Sequence, residues 1–280
     1  EENSGGFWAG ATYLLLGPIT EDTSMAGYEA KLIGQTNDYS GNSVTVGDVD
    51  SNGLADILVG APYSHDYDGA AYLLRAPLSG DVLLNDAQTT FRSETYSDTG
   101  RWSYLGWSTA VADLDADGFD DVILGAMNAG SQVGWDPNRA QYIAYEGKTY
   151  IFEGPVSAGT LDATTADHTL TGEAAADNSG KNVFARNGGD VNADGYNDLL
   201  ITAQYEDTNG EYAGAVYLVL GPVGTETLPS ALGAKILGDD AYAFAGSSLE
   251  ISDLDADGQA DISIGAIGAG PSGAVFVYLD

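Results

Sequence analysis

Apolar residues in this chain fall in short runs rather than in helical stripes. Four runs are continuous: Ile57-Leu58-Val59-Gly60-Ala61, Val122-Ile123-Leu124-Gly125-Ala126, Leu199-Leu200-Ile201-Thr202-Ala203 and Ile262-Ser263-Ile264-Gly265-Ala266. Short and rich in β-branched residues, they predict strands covered on both faces. Ahead of each lies a looser alternation, such as Ser43-Val44-Thr45-Val46 or Ser248-Leu249-Glu250-Ile251, which predicts another strand. A third element recurs from Gly10, Gly69, Gly147, Gly214 and Gly273, each followed three residues on by Tyr or Phe. In the first four copies Pro18, Pro77, Pro155 and Pro222 end the strand, because proline cannot donate to a ladder. A weaker fourth strand follows at residues 30–33, 88–91, 168–171 and 234–237. No segment reads as a long helix.

The unit is therefore strand, acidic loop, strand, strand, strand. Self-similarity at this spacing suggests blades set around a common axis, where stacking covers both apolar faces of each blade. The predicted fold is all-β: a β-propeller of four-stranded antiparallel blades, complete or partial. Its units would run over residues 1–36 (partial), 37–93, 102–172, 181–238 and 244–280 (partial).

The acidic loops carry the chemistry. They are Asp48-Val-Asp-Ser-Asn-Gly-Leu-Ala-Asp56, Asp113-Leu-Asp-Ala-Asp-Gly-Phe-Asp-Asp121, Asp190-Val-Asn-Ala-Asp-Gly-Tyr-Asn-Asp198 and Asp253-Leu-Asp-Ala-Asp-Gly-Gln-Ala-Asp261, starting 65, 77 and 63 residues apart. Side-chain oxygens at positions 1, 3 and 5 of such a loop converge, glycine at position 6 permits the turn, and position 7 presents its carbonyl. A carboxylate at position 9 closes the shell. The expected ligands are Asp48, Asp50, Asn52, Leu54 and Asp56; Asp113, Asp115, Asp117, Phe119 and Asp121; Asp190, Asn192, Asp194, Tyr196 and Asp198; and Asp253, Asp255, Asp257, Gln259 and Asp261. All-oxygen shells rich in carboxylate favour Ca2+, about four ions in all, over the stricter octahedron of Mg2+. Asp, Asn and Gly also make plain turns, but four copies sharing positions 1, 3, 5, 6 and 9 weigh against turns alone. Helical calcium modules need a glutamate at position 12; here that position is Val59, Leu124, Ile201 or Ile264.

Charge changes the picture further. Nine basic residues face 42 acidic ones, a formal −33, so nucleic acid and anionic membrane are poor partners and cations the natural ones. The four loops hold 14 carboxylates at positions 1, 3, 5 and 9, and four Ca2+ would bring the sum to −25. The chain has no cysteine and no apolar stretch long enough for a membrane span. Beginning at Glu1 without Met, it reads as a processed product or a piece of something longer.

At these residues the sequence resembles the FG-GAP repeats of the integrin α-subunit β-propeller and its bacterial relatives. Asp48 to Pro62 fits the pattern of calcium loop, apolar strand and Gly-Ala-Pro, while the copies at 113–126 and 253–266 fit up to the proline. The third copy departs with Thr202-Ala203-Gln204, and the Phe-Gly half is reduced to Phe244-Ala245-Gly246, Leu105-Gly106 and Tyr39-Ser40-Gly41. The resemblance implies seven blades, calcium on the lower face and ligand recognition by loops of the upper face. About 17 strands do not fill seven blades, which leaves open blades before Glu1, partial ends that complete each other, or strands from another copy.

Function then points to an extracellular binding or adhesion module, secreted or at the cell surface, whose partner is a protein, a glycan or copies of itself. A surface-layer or filament subunit and the non-catalytic propeller of a secreted glycan- or lipid-acting enzyme are the alternatives. An enzyme is not expected: His65 and His168 are the only histidines, and both read as surface residues. The insertion at 127–146, with Trp135, Arg139, Tyr142 and Tyr145, either projects as a contact loop or packs on its neighbour. Trp102, Tyr104 and Trp107 are expected in the core, and Phe7 and Trp8 have no assigned place.

Overall fold

A computed structural model describes residues 5–20, 22, 24–93, 102–130, 135–136, 141–142 and 145–279 of the chain. Each acidic loop joins two neighbouring strands of one antiparallel sheet, and the sheets follow one another as blades. The first blade holds β1 (Ala11–Leu14) and β2 (Ala30–Ile33). The second holds β3 (Ser43–Gly47), β4 (Asp56–Ala61), β5 (Ala70–Leu74) and β7 (Thr89–Arg92). The third holds β8 (Ser108–Ala112), β9 (Asp121–Ala126), β12 (Lys148–Phe152) and β14 (His168–Thr171). The fourth holds β15 (Ser179–Phe184), β16 (Leu199–Ala203), β17 (Ala215–Val219) and β18 (Gly233–Leu237). The last holds β19 (Ala245–Ser252), β20 (Asp261–Ala266) and β21 (Ala274–Tyr278). This is the propeller architecture, with three four-stranded blades between two partial ones.

The continuous apolar runs are explained by burial on two sides. Ile57, Val59 and Ala61 of β4 pack with Leu32 of the first blade, while Leu58 packs with Val122 and Leu124 of the third. In the same way Leu199 and Ile201 of β16 face Ile123 and Ile151, and Leu200 faces Ile262 and Ile264. A one-residue slip of such a strand would exchange the two faces, so its register is held from both sides. Tyr72, Tyr150 and Tyr217 of the third strands are almost wholly buried within these junctions.

Two strands have no counterpart in the predicted unit. Between β5 and β7 runs β6 (Gly80–Leu83), which pairs in parallel with β2 of the preceding blade. Between β12 and β14 runs β13 (Gly159–Asp162), which pairs in parallel with β7. The second and third blades thus each lend an outer strand to the one before them. At the next junction only one bond of this kind remains, from Thr171 N–H to the Thr227 carbonyl at 2.7 Å.

Trp102, Tyr104 and Trp107 do not join the core. Trp102 is 47% exposed, and all three sit in an aromatic group with Tyr63 and Tyr67 at the end of the blades away from the acidic loops. Phe7 and Trp8 extend that group through Tyr39. The insertion contributes a hairpin of β10 (Trp135–Asp136) and β11 (Gln141–Tyr142), while Arg139 lies outside the described residues. Tyr145 is half-buried. Among the described residues no helix is long and apolar enough to cross a membrane.

Candidate metal centres

Every acidic loop is shaped by its own carboxylates. The position-1 aspartate accepts the N–H groups of positions 5 and 6: Asp48 takes Asn52 and Gly53 at 2.9 and 2.7 Å, Asp113 takes Asp117 and Gly118 at 3.1 and 3.0 Å. Asp190 does the same with Asp194 and Gly195 at 3.1 and 2.8 Å, and Asp253 with Asp257 and Gly258 at 3.2 and 3.1 Å. The position-5 residues Asn52, Asp117, Asp194 and Asp257 each accept the N–H of position 7, that of Leu54, Phe119, Tyr196 or Gln259, at 2.8–3.0 Å. These local bonds curl the loop, and the glycine at position 6 takes φ between 84° and 99° in all four.

Three loops bring carboxylates together. Oxygens of Asp48, Asp50 and Asp56 lie within 4.8 Å of one another, as do those of Asp113, Asp115 and Asp121 and those of Asp253, Asp255 and Asp261. Positions 1, 3 and 9 thus converge, whereas position 5 is outside these triads. The third loop forms no such triad: position 3 is Asn192, whose amide donates to Asp194 at 2.9 Å.

Position 9 begins the inner strand, or in Asp198 directly precedes it, and is buried, with Asp56, Asp121 and Asp261 at 1% exposure and Asp198 at 0%. Two backbone N–H groups hold Asp121, from Leu114 at 2.8 Å and Gly154 at 2.9 Å. Asp198 is held likewise by Val191 and Gly221 at 2.8 and 3.0 Å. Burial nevertheless pushes the Asp121 carboxyl up to about 7, with repulsion from Asp115 and Asp113 added. Burial also raises Asp56, Asp198 and Asp115 above the usual carboxylate range. Three buried oxygens, Asp50 Oδ1, Asp56 Oδ2 and Asp261 Oδ1, have no hydrogen-bond partner. Acceptors that are desolvated, unpaired and mutually repelling fit a hard cation, which would satisfy them and lower their proton affinity together.

Two features of these centres escaped the sequence reading. Arg75 places Nε 3.5 Å from Asp50 Oδ2, so a fixed cation already offsets part of the first loop's charge. Residue 8 of a loop also reaches the preceding blade: Asp120 accepts the Asp48 N–H at 2.7 Å, and Asn197 donates to the Asp113 carbonyl at 2.7 Å. At the last junction Ala260 offers only its backbone, to the Asp190 carbonyl at 3.0 Å. Position 8 looked idle along the chain because its partner belongs to another blade.

The profile of the FG-GAP repeat matches residues 40–74, 105–152 and 187–219, each span containing an acidic loop or its flanking strands. The chain is an FG-GAP repeat protein. Integrin alpha pat-2 of Caenorhabditis elegans is 31% identical over 238 residues, which is 82% of this chain and 18% of the relative. Integrin alpha-PS2 of Drosophila melanogaster is 28% identical over 253 residues, or 86% of this chain and 16% of the relative. A phosphatidylinositol-glycan-specific phospholipase D of Dictyostelium discoideum is 28% identical over 193 residues, 65% of this chain and 20% of the relative. The FG-GAP chain therefore spans about a fifth of the length of these relatives.

Its departures from the repeat have local reasons. A Cβ at Gly60 or Gly125 would lie 2.1 Å from the carbonyl oxygen of Gly106 or Gly180 in the next blade, so the glycine of Gly-Ala-Pro marks a close approach. In the third copy Thr202 occupies that place. Its Oγ1 accepts the Asn182 N–H at 3.0 Å across an irregular stretch of β15, and Gly246 covers its methyl group.

Proposed function

We propose that this FG-GAP chain is an extracellular binding or adhesion module, without catalysis of its own, whose blades are locked by about four Ca2+ ions. The observation that carries the metal reading is the set of buried, unpaired oxygens on Asp50, Asp56 and Asp261 inside carboxylate triads. Positions 1, 3, 5 and 9 would supply side-chain oxygens, with the carbonyls of Leu54, Phe119, Tyr196 and Gln259 at position 7. The ion supplies charge neutralisation and crosslinks the loop to the buried start of the inner strand. Integrin-α relatives support the adhesion reading, and millimolar calcium outside cells suits permanently filled sites. The phospholipase relative keeps a second reading in play, that of a propeller attached to a lipid-acting enzyme.

The test is thermal unfolding with chelator, then with calcium or magnesium restored. A fall in the midpoint of more than about 10 °C that calcium alone reverses supports the reading. An unchanged midpoint sinks it. Partner capture from extracellular matrix by the calcium-loaded chain, absent with chelator, tests the adhesion half.

A further inference from the structure

At the end of the blades opposite the acidic loops, the first and second blades enclose a cleft of about 460 Å3, within the 300–1,000 Å3 common for small-ligand sites. Its rim is aromatic: Trp8 and Tyr39 are each 37% exposed with centroids 5.7 Å apart, and Tyr67 is 43% exposed. Tyr63 backs both Tyr39 and Tyr67, at 4.6 and 5.4 Å. Between the rings stand Gln35, Asn37, His65 and Asp66.

Part of this arrangement is architectural. Trp8, Tyr39, Tyr67, Tyr104, Tyr212 and Phe244 each lie two residues before a glycine, with φ between 51° and 75°. They pair across junctions, Tyr39 N–H donating to the Trp8 carbonyl at 3.1 Å, Tyr104 to Tyr67 at 3.3 Å and Phe244 to Tyr212 at 3.1 Å. Such a clasp accounts for the rings but not for the polar cleft beside them. There Asn37, His65 and Asp66 also take left-handed backbone, at 67°, 54° and 58°. Residues 65–67 are three consecutive left-handed positions, a costly conformation for side-chain-bearing residues. Beneath them Asp38 is 4% exposed, its carboxylate accepting the Gln35 N–H at 2.8 Å, and Ser64 Oγ lies 2.7 Å from His65 Nδ1.

We propose that this cleft binds a neutral glycan, a hexose stacking on Trp8 and Tyr39 while Gln35, Asn37 and Asp66 take its hydroxyls. This rests on the binding-module reading and names its ligand class. Sugar rings offer what the site matches: an apolar C–H face for the exposed rings and vicinal hydroxyls for planar amide and carboxylate groups. Anionic ligands are disfavoured by Asp38, Asp66 and the overall −33, with no Lys or Arg in the lining. Burial first, and the nearby Arg92 after it, oppose protonation of His65, so its ring meets a ligand as a neutral hydrogen-bonding group.

The experiment titrates the calcium-loaded chain with maltohexaose, cellohexaose and mannohexaose, then with dextran sulfate and a hexa-arginine peptide, by calorimetry and tryptophan fluorescence. Saturable binding of a neutral oligomer is expected. Tyr39→Ala should weaken it at least tenfold, as should the milder Gln35→Ala and Asp66→Asn together, without lowering the melting midpoint of that second variant. Asn tolerates left-handed backbone, so the Gln35/Asp66 variant separates recognition from loss of the clasp. No binding of any neutral oligomer, or binding that survives both variants, overturns the inference. Peptide binding alone also overturns it but leaves the binding-module reading standing, while the chelation melt on the same sample judges the calcium reading separately.

Discussion

Removing calcium should cost the fold a large and divisible share of its stability. A site held at about 100 times its Kd contributes about 2.7 kcal/mol, so four contribute about 11 kcal/mol. Unfolding entropy near 2.1 cal/mol/K per residue gives about 0.6 kcal/mol/K for 280 residues. Full chelation then lowers the midpoint by about 18 °C, and loss of one site by about 5 °C. Asp115→Ala isolates one site well. Asp115 is half-buried and accepts only the Asp117 N–H among its described bonds, at 3.1 Å, so its loss disturbs little besides the triad with Asp113 and Asp121. Differential scanning calorimetry should show the variant about 5 °C below the parent in calcium, and level with it in EDTA. The sites should also differ in affinity. The loops at 113–121 and 253–261 have carboxylates at all four of positions 1, 3, 5 and 9, against Arg75 and Asn52 in the first and Asn192 in the third, and affinity rises with ligand charge. Equal destabilisation by Asp115→Ala in calcium and in EDTA would refute the reasoning, because the residue would then matter to the fold and not to an ion.

Other expectations concern the blade junctions. Gly125→Ala places a Cβ 2.1 Å from the Gly180 carbonyl oxygen and should cost about 3 kcal/mol by urea unfolding. Gly27→Ala, with nothing within 4 Å, should be near neutral in the same assay. Lys235 contacts Glu173 and Glu206 at 2.8 Å each, and Glu206 is buried, so Lys235→Met should destabilise by about 3–5 kcal/mol. Adding Glu206→Gln should restore part of that, as a double-mutant cycle would show. Asp177 is raised to about 6, first by burial and then by Glu206. A raised folded pKa gives stability that is present below the unfolded value and lost as pH rises through about 6. Asp177→Asn should therefore gain on the parent between pH 4.5 and 7.5, by at most about 3 kcal/mol, in urea titrations run in EDTA.

What the sequence revealed, and what it hid, follows from where each interaction closes. The runs at 57–61, 122–126, 199–203 and 262–266 were legible because both faces of one short strand are buried, and that leaves an unbroken apolar mark. The convergence of positions 1, 3 and 9 in three of the loops was legible because a nine-residue stretch brings its own oxygens together. By contrast β6 and β13 pair with another blade mainly through their backbones, and each sends only one apolar side chain, Val82 or Leu161, onto a core cluster, too little to mark a strand in the sequence. Trp102 belongs to a surface clasp and not to the core, because the segment at 102–107 crosses the end of the blades before the strand at 108–112 begins. The aromatic-x-Gly spacing itself was present in the chain, and only the pairing of copies across junctions gives it meaning.

The same reasoning says where the repeat is free to vary. Residue 8 is Asp120 or Asn197 where its side chain bonds to the preceding loop, but Ala260 where a backbone bond suffices. Loop shape is thus fixed within a copy, while the tie between copies is optional at the level of the side chain. A cation bound in one loop should therefore stiffen its neighbour most where that tie is present, at the junctions made by Asp120 and Asn197. The Asp48 N–H donates to Asp120, the residue beside Asp121, so filling the second loop should also order the entrance of the first. Local ligand chemistry and junction chemistry are separate layers of one repeat, and the second is the layer through which neighbouring blades can differ.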